Sequence, residues 1–189
     1  MTRTNMAQAK SGGEAPLFLI GFMATGKSTV GRLVAARKGW AFVDLDQVIV
    51  AVAGLPVAEI FAREGEDGFR RREAEAVREA CTKVATVIAT GGGAACREEN
   101  LQAMLAGGRV VALSATPAEV LRRTGGASGR PLLDGKIDPA GTAAALLAAR
   151  EPFYSRAHHT VDTVGKSPTE VATLVIAALD GDILGSSEK

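Results

Sequence analysis

Residues 21–28 form a motif whose residue types and spacing suit the binding of phosphate groups. They read GFMATGKS and match the Walker A pattern G-x-x-x-x-G-K-[ST] at every position. Gly21 and Gly26 permit the backbone angles that close such a loop around anionic oxygens, so that backbone N–H groups point at them. Lys27 supplies a positive charge to the β- and γ-phosphates, and the Ser28 hydroxyl is a suitable Mg²⁺ ligand. The motif therefore predicts a bound nucleotide but does not identify an acceptor.

Two carboxylates, Asp44 and Asp46, follow the second predicted strand. They lie at the carboxyl edge of the predicted sheet, where open α/β sheets bind their ligands. Alternation along an extended strand would place both side chains on the same side. One carboxylate could then hold a metal-bound water molecule while the other meets an acceptor hydroxyl. The pattern leaves a second interpretation open, in which Asp46 caps a helix.

A pair of opposite charges lies on the helix predicted for residues 66–81. The residues on the apolar face of this helix are Phe69, Glu73, Ala76, Val77 and Ala80. Arg70 lies on the flank of that face, whereas Arg71 points away from it. A carboxylate within an apolar face is unfavourable unless it is paired, so Glu73 is expected to pair with Arg70. An ordinary surface ion pair is the alternative.

Three consecutive glycines, Gly91, Gly92 and Gly93, come directly after the third predicted strand and Thr90. Glycines at this place allow a ligand to approach the backbone closely and expose N–H donors. A flexible turn is the alternative interpretation. The location at the end of a strand favours a binding site.

The elements that must position these groups alternate between short apolar strands and longer helical patterns. The predicted strands are Leu17–Ile20, Ala41–Val43, Val84–Ala89, Val110–Leu113 and His159–Val161. Helix starts are predicted at Thr116-Pro117, Asp138-Pro139 and Ser167-Pro168, each with a capping side chain followed by proline. This alternation implies right-handed βαβ units, and hence an α/β fold in which a five-stranded parallel sheet is flanked by helices in three layers.

Two segments are longer than simple connections between strands. Residues 46–81 are mostly helical and are expected to form a substrate-binding insertion, and residues 124–136 are rich in glycine and are expected to form a mobile lid. Plain exposed insertions are the alternative for both segments. The single domain is expected to span residues 16–181, after a disordered leader 1–15 and before a flexible tail 182–189.

Composition excludes several classes of function. The net charge of +1 over 189 residues provides no general field for nucleic acid or a membrane surface. The sequence shows neither a signal peptide nor an apolar run long enough to span a bilayer. Cys81 and Cys96 lack metal-ligand spacing, which favours a reduced, cytoplasmic setting. We therefore expect a cytoplasmic protein without a nucleic-acid or membrane partner. A monomer is expected as well.

In their order along the chain, these motifs resemble those of shikimate kinases, a branch of the P-loop proteins related to nucleoside monophosphate kinases. The resemblance runs from Leu17 to Leu179. The motifs that carry it are GFMATGKST, FVDLD, FRRREAE, TGGGA, RRTGGASGRPLL, REPFY, VDT and SPTEV. The resemblance implies a P-loop kinase fold and the ATP- and Mg²⁺-dependent phosphorylation of the 3-hydroxyl of shikimate, on the route to aromatic amino acids.

On the donor side, the resemblance implies a defined set of nucleotide-binding residues. They are Gly21, Ala24, Thr25, Gly26, Lys27, Ser28, Thr29, Arg123, Arg130 and Pro168. Arg123 and Pro168 would enclose adenine, and Arg130 would move onto the phosphates during transfer. Asp44 would help Ser28 to hold Mg²⁺ through water. Ala24 stands where the family often has glycine, and alanine is tolerable there if the residue keeps a negative φ.

On the acceptor side, the resemblance implies that Asp46 contacts shikimate hydroxyls and acts as the base. Arg70 and Arg150 would bind the shikimate carboxylate, for which planar guanidinium groups are suited. Glu73 would orient Arg70, and Gly91–Gly93 would line the site. Asp46, Lys27 and Arg130 are thus the expected catalytic residues.

Two other functions are compatible with the phosphate loop. One is a kinase of the same group that acts on gluconate or a nucleoside monophosphate, although the combination of Asp46, Arg70 and Arg150 favours shikimate. The other is a nucleotide-binding regulatory module without turnover. Such a module would be expected to have lost Lys27, Asp46 or Arg130, all of which are present.

Overall fold

The computed structural model of the chain describes residues 14–125 and 138–185, with side chains described up to residue 181. Five parallel strands form one sheet in the order β2-β3-β1-β4-β5. Their bounds are β1 Leu17–Ile20, β2 Ala41–Asp44, β3 Thr86–Ala89, β4 Arg109–Ser114 and β5 His159–Asp162. The predicted five-stranded parallel sheet is confirmed.

The helices of the described residues flank this sheet. They are α1 Lys27–Lys38, α2 Leu45–Ala53, α3 Val57–Ala80, α4 Glu98–Gly107, α5 Pro117–Arg123, α6 Pro139–Tyr154 and α7 Pro168–Gly185, with a short 3₁₀ helix at Ala94–Cys96. Thr116 and Asp138 accept hydrogen bonds from the first turns of α5 and α6. Ser167 and Glu170 cap the start of α7 reciprocally. The three predicted helix starts are therefore confirmed.

Alternation along β1 shows how the sheet is covered on both faces. Leu17 and Leu19 point into a cluster with α1 and α7, whereas Phe18 and Ile20 point into a cluster with α3 and α4. All four side chains are fully buried. Because β1 is buried on both faces, it reads as a continuous apolar run. The structure thus has the three predicted layers, with helices on each side of the sheet.

The central strand β1 pairs with β3 on one side and with β4 on the other. Strand order reverses at β1, and such a position is where α/β sheets bind ligands. The loop from β1 to α1 begins with Gly21, whose φ is 132°. A Cβ atom at this residue would meet the carbonyl oxygen of Leu113 at the end of β4. Only glycine therefore fits where the phosphate loop starts.

The segment between β2 and β3 consists of two helices, α2 and α3, as its composition predicts. Gly65, with φ of 69° and ψ of −176°, interrupts α3. Glu64 and Arg72 form a two-point ion pair across this break, with N–O distances of 2.7 and 2.9 Å. The rings of Phe61 and Phe69 also stack across it, 4.7 Å apart. These contacts connect the two parts of α3 and define the angle between them.

The observed boundaries differ from the predicted ones at several places. Strand β3 begins at Thr86 rather than at Val84, because Ala85 has a φ of 44° and is therefore not in the extended conformation of a strand. Helix α7 continues to Gly185, into the segment 182–189 that was expected to be a tail. Most of the predicted lid, including Arg130, lies outside the described residues, as do residues 1–13 of the predicted leader.

Among the described residues, no single helix is both long and apolar enough to cross a membrane. Within the described ranges, α2 and α3 are the only pair that meets that length and composition together, and they are bent by 91° at the break between them.

Candidate functional site

The phosphate loop and the carboxyl ends of β2 and β3 enclose a cavity of about 380 Å³. Its lining residues are Met23, Ala24, Gly26, Lys27, Ser28, Thr29, Asp44, Asp46, Thr90, Gly92 and Arg123. Most of the residues predicted to bind the nucleotide therefore meet Asp46 and one of the predicted acceptor-side glycines in a single cavity. This convergence follows from the parallel sheet, because its strands end at the same edge.

The side chain of Lys27 is held inside the phosphate loop. The residue is only 9% exposed, and its Nζ donates to the carbonyl oxygens of Gly21 and Phe22 at 2.8 and 2.7 Å. The Thr25 hydroxyl, also buried, donates to the Phe22 carbonyl at 2.8 Å. The loop therefore fixes a positive charge at the start of α1, where the backbone N–H groups also favour an anion.

Ala24 does not meet the condition under which alanine is tolerable in the loop. Its φ is 59°, in the left-handed region, rather than negative. The closed loop requires a left-handed residue at this position, and alanine is less favourable there than glycine by roughly 1–2 kcal/mol. Glycine, which the family often has at this position, adopts a positive φ without this cost, whereas Ala24 in this chain bears it.

Replacing Ala24 by glycine is expected to leave the free energy of unfolding unchanged or to raise it by up to about 1 kcal/mol, since relief of strain opposes the greater chain entropy of glycine. The matched control is A36G, on the exposed face of right-handed α1, which should lower stability by about 1 kcal/mol. Urea unfolding of both variants measures the difference. Equal destabilisation of A24G and A36G would contradict the strain at Ala24.

Ser28 and Asp44 form the part of the site that is able to hold a metal ion. The Ser28 hydroxyl donates to Asp44 Oδ2 at 2.7 Å, beside Lys27 at the cavity wall. A hydroxyl and a carboxylate are hard oxygen donors that fit Mg²⁺, which keeps several water and phosphate ligands. Within the described residues, no cluster of three or more His, Cys, Asp or Glu side chains could hold a metal by itself. The Ser28 hydroxyl and the Asp44 carboxylate could hold an ion jointly with the oxygens of a bound polyphosphate.

The route by which Asp44 and Asp46 reach the cavity differs from the prediction. Asp44 ends β2 and Leu45 already begins α2, so the argument from strand alternation is wrong, although both carboxylates line the same cavity. Asp44 is the helix cap, because its Oδ1 accepts a hydrogen bond from the Asp46 backbone N–H at 3.1 Å. The alternative in which Asp46 serves as the cap is therefore also wrong.

Arg123 connects the phosphate loop to the segment after β5. Its guanidinium donates to the Ala24 carbonyl at 3.2 Å and to the Thr163 carbonyl at 2.7 Å. Its Nε donates to Glu119 at 2.7 Å, and hydrogen bonds from Arg122 and Arg123 lower the pKa of Glu119 to about 2. Thr163 and Glu119 were missed from the sequence. The VDT motif contains Thr163 and was the available signal.

Pro168, the other residue predicted to enclose adenine, begins α7 and is not among the residues that line the cavity. Its predicted contact with the nucleotide stays a prediction, as does that of Arg130.

On the acceptor side, Arg70 and Glu73 form the predicted ion pair. Arg70 Nη1 donates to Glu73 Oε2 at 2.9 Å, and Arg70 also contacts Glu66 at 3.2 Å. Glu73 is 1% exposed, so the alternative of an ordinary surface pair is wrong. Burial raises the pKa of Glu73 and outweighs the opposing effect of Arg70, while the charge of Asp46 raises it further.

Two of the three consecutive glycines allow charged groups to approach the backbone closely. A Cβ atom on Gly91 would lie 2.8 Å from Asp46 Oδ1 and 3.2 Å from Glu73 Oε1. A Cβ atom on Gly93 would lie 2.9 Å from Arg70 Nη1. A side chain at either place would displace these charged groups, so the glycines allow them to lie close to the backbone, which a flexible turn alone would not explain.

Arg150 reaches the same glycines from α6. Its Nη1 donates to the Gly92 carbonyl at 3.2 Å, and its guanidinium lies 5.3 Å from the centre of the Phe22 ring. The buried Tyr154 hydroxyl donates to the same carbonyl at 2.6 Å. Burial raises the pKa of Tyr154, which therefore stays a neutral donor. Tyr154 was missed from the sequence, although the REPFY motif contains it.

A second cavity, of about 290 Å³, which we call the acceptor cavity, is lined by these residues. Its lining residues are Glu66, Asp67, Arg70, Gly93, Cys96, Arg97 and Arg150. Gly92 lines the first cavity and its neighbour Gly93 lines the second, so the two cavities are adjacent. The arrangement suits a polyphosphate at the loop and a carboxylate-bearing molecule beside Asp46.

Known proteins agree with this geometry. The shikimate kinase family model matches residues 23–180. The chain is 47% identical over 163 residues to the shikimate kinase of Moorella thermoacetica, covering 86% of this chain and 93% of that relative. It is 51% identical over 145 residues to that of Symbiobacterium thermophilum, covering 76% and 83%.

Among solved structures, the chain superposes on shikimate kinase from Acinetobacter baumannii in complex with shikimate, with a TM-score of 0.83 and 34% identity. The match covers 93% of this chain and 96% of that protein. With the P-loop kinase fold, the buried Arg70–Glu73 pair and the two adjacent cavities in place, the chain belongs to the shikimate kinase family.

Proposed function

We propose that the protein transfers the γ-phosphoryl group of ATP to the 3-hydroxyl of shikimate, which gives shikimate 3-phosphate on the route to chorismate and aromatic amino acids. One observation carries this proposal in particular. Arg70 and Arg150 line one cavity directly beside the cavity that holds Asp46 and the phosphate loop. A carboxylate bound by the two arginines therefore places the rest of a small acceptor toward the phosphates.

The donor side binds and orients the nucleotide. Lys27 and the N–H groups of the loop stabilise negative charge on the β- and γ-phosphates. Arg123 lies beside the loop and donates a hydrogen bond to the Ala24 carbonyl. Ser28 and, through water, Asp44 would hold Mg²⁺, which supplies charge neutralisation at the β- and γ-phosphate oxygens when it is bound. Since phosphoryl transfer depends mainly on positioning and charge, these groups are sufficient for the donor side.

On the acceptor side, Asp46 orients the 3-hydroxyl and takes its proton. The hydroxyl oxygen forms a bond to the γ-phosphorus, the bond from that phosphorus to the β-phosphate oxygen breaks, and ADP leaves with the electron pair. Glu73 holds Arg70 in place, and Gly92 holds Arg150. Arg130, which lies outside the described residues, is proposed from the resemblance alone to neutralise charge during the transfer.

A coupled ADP-release assay tests the proposal. ATP and Mg²⁺ should give turnover with shikimate and little with gluconate or a panel of nucleoside monophosphates, and EDTA should abolish the turnover. A phosphorylated product at the 3-hydroxyl, identified by NMR, completes the assignment. Turnover with gluconate or a nucleoside monophosphate in place of shikimate would support the related kinase. Nucleotide binding without turnover of any acceptor would support the regulatory module.

The setting of the enzyme forms a further part of the proposal. Within the described residues Cys81 and Cys96 form no disulfide bond, which is consistent with a reducing cytoplasm. We propose a cytoplasmic monomer that needs no nucleic acid or membrane, since both predicted substrate sites are built within one chain. Sedimentation across a range of protein concentrations tests the monomer, and a concentration-dependent mass would contradict it.

A further inference from the structure

Arg97 is a third guanidinium group at the acceptor cavity, beside Arg70 and Arg150. It follows the 3₁₀ helix that begins directly after Gly93, and it precedes the first residue of α4. The glycine segment and the short helix therefore carry Arg97 to the cavity wall. It thus lies beside the predicted acceptor-binding residues, and its charge opposes the rise in the pKa of Glu73 that burial causes.

Arg97 differs from the other two arginines in how its charge is compensated. Arg70 donates to the carboxylates of Glu73 and Glu66 at 2.9–3.3 Å, and Arg150 donates to a backbone carbonyl. Among the residues that the structure describes, the nearest carboxylate to Arg97 is Glu99, at 3.9 Å. This distance is too long for a hydrogen bond, and Glu99 is 76% exposed.

The neighbouring acidic residue does not compensate Arg97 either. Glu98 accepts two hydrogen bonds from Arg156, at 2.6 and 2.9 Å, and a third from Gln102. The side chain of Arg97 is 43% exposed, so its guanidinium keeps both water contact and access to the cavity. An arginine at the wall of a carboxylate-binding site that still has N–H donors available is suited to bind the carboxylate of the ligand.

The charges that line the acceptor cavity also favour this assignment. Three guanidinium groups face two carboxylates, and one of these carboxylates, Glu66, is already bound by Arg70. The lining is therefore positively charged, and among its described residues neither Arg97 nor Arg150 has a carboxylate within hydrogen-bonding distance. A carboxylate that enters the cavity would accept hydrogen bonds from Arg97 that Glu99, at 3.9 Å, does not accept.

We propose that Arg97 is a third acceptor-binding residue, which binds the carboxylate of the acceptor together with Arg70 and Arg150. This inference rests on the proposed function, because it names a further contact with the same acceptor. If Arg97 binds this carboxylate, it strengthens the binding only of an acceptor that carries the negative charge. A neutral acceptor, such as the methyl ester of shikimate, should therefore gain nothing from this residue.

Three variants test the proposal. R97Q removes the charge, and R97K keeps the charge without the planar fork. R78Q is the matched control, because Arg78 lies on the same side of the molecule in a neighbouring groove but does not line the acceptor cavity. Shikimate binding by calorimetry and the KM and kcat of ADP release are measured for each variant, with shikimate and with its methyl ester.

R97Q is expected to raise the Kd and KM for shikimate about tenfold, as expected for loss of a hydrogen bond between charged groups. Its kcat and its KM for ATP should stay within about twofold of the original protein, R97K should recover part of the affinity, and R78Q should change neither. With the methyl ester, R97Q and the original protein should behave alike.

Two results would overturn the inference. One is a KM for R97Q that matches that of R78Q, and the other is an equal loss of affinity for shikimate and its methyl ester, which would indicate a structural role. Failure of the proposed function has a different signature. In that case the unmodified protein would neither bind shikimate nor release ADP in its presence, whatever residue stood at position 97.

Discussion

Replacing Asp46 by asparagine is expected to lower kcat for shikimate phosphorylation by about 10²- to 10⁴-fold, the usual contribution of general acid–base catalysis. Asparagine has nearly the same shape but cannot take the hydroxyl proton. The fold should survive, because Asp44 and not Asp46 caps α2. The KM for ATP should change little, since Lys27 and the phosphate loop are untouched.

The decisive measurement is kcat together with its pH dependence. The unmodified enzyme should lose activity in acid as the catalytic carboxylate becomes protonated, and D46N should lack that loss in its residual activity. E79Q, which removes an exposed carboxylate from α3, is the control and should leave kcat unchanged. Turnover by D46N within a few-fold of the original would show that Asp46 is neither the base nor an essential orienter.

Local patterns predicted the helical part of the site well. All five residues predicted for the apolar face of α3 are buried, from Phe69 to Ala80. Helical periodicity depends only on neighbouring residues, so it can be read without the rest of the fold. The same holds for the cap at Thr116. The meeting of the two Asp carboxylates and the glycine segment at one edge follows from parallel strand order, which the alternation of elements predicts.

Boundaries and conformations that depend on the closed site could not be predicted. The φ of Ala24 is set by closure of the phosphate loop around Lys27, which overrides the preference of alanine. The roles of Asp44 and Asp46 depend on whether the strand ends at residue 44, and strand ends are the least predictable feature of a sequence. Because α2 begins at Leu45, Asp44 and not Asp46 is its cap.

Contacts between distant residues gave no local signal. Tyr154 binds the Gly92 carbonyl, and Arg123 binds Thr163, in each case across tens of residues of sequence. Arg97 lies in an ordinary charged stretch before α4, where the sequence resembles any exposed helix start. Only the fold brings it to a cavity that Arg70 and Arg150 already line.

Replacing Arg70 by alanine should raise the KM for shikimate at least about 30-fold, because loss of one partner of a buried charge pair removes roughly 2 kcal/mol or more of binding free energy. The KM for ATP should stay nearly constant, because Arg70 does not line the cavity at the phosphate loop. Steady-state kinetics with each substrate varied in turn measures this difference. An equal loss of both affinities would contradict the assigned role.

R70A should also destabilise the fold by about 3 kcal/mol, since it leaves the buried carboxylate of Glu73 without its partner. The double variant R70A/E73Q separates the two effects. It removes the unpaired charge, so it should recover much of the free energy of unfolding, but its KM for shikimate should remain high. Recovery of the KM in the double variant would mean that Glu73, and not the missing guanidinium, blocks the acceptor.

The instability of R70A should depend on pH in a direction that Glu73 determines. Burial raises the pKa of Glu73 in the folded protein while Arg70 opposes that rise, so removing Arg70 raises the pKa further. A carboxyl group with a raised pKa stabilises the fold when protonated, and this contribution is lost as the pH rises through its folded-state pKa. The stability deficit of R70A should therefore be small near pH 4.5, the ordinary pKa of the group, and grow toward neutral pH. Urea unfolding at pH 5 and at pH 8 measures the difference, and a deficit that shrinks as the pH rises would mean that Glu73 is not the group left unpaired.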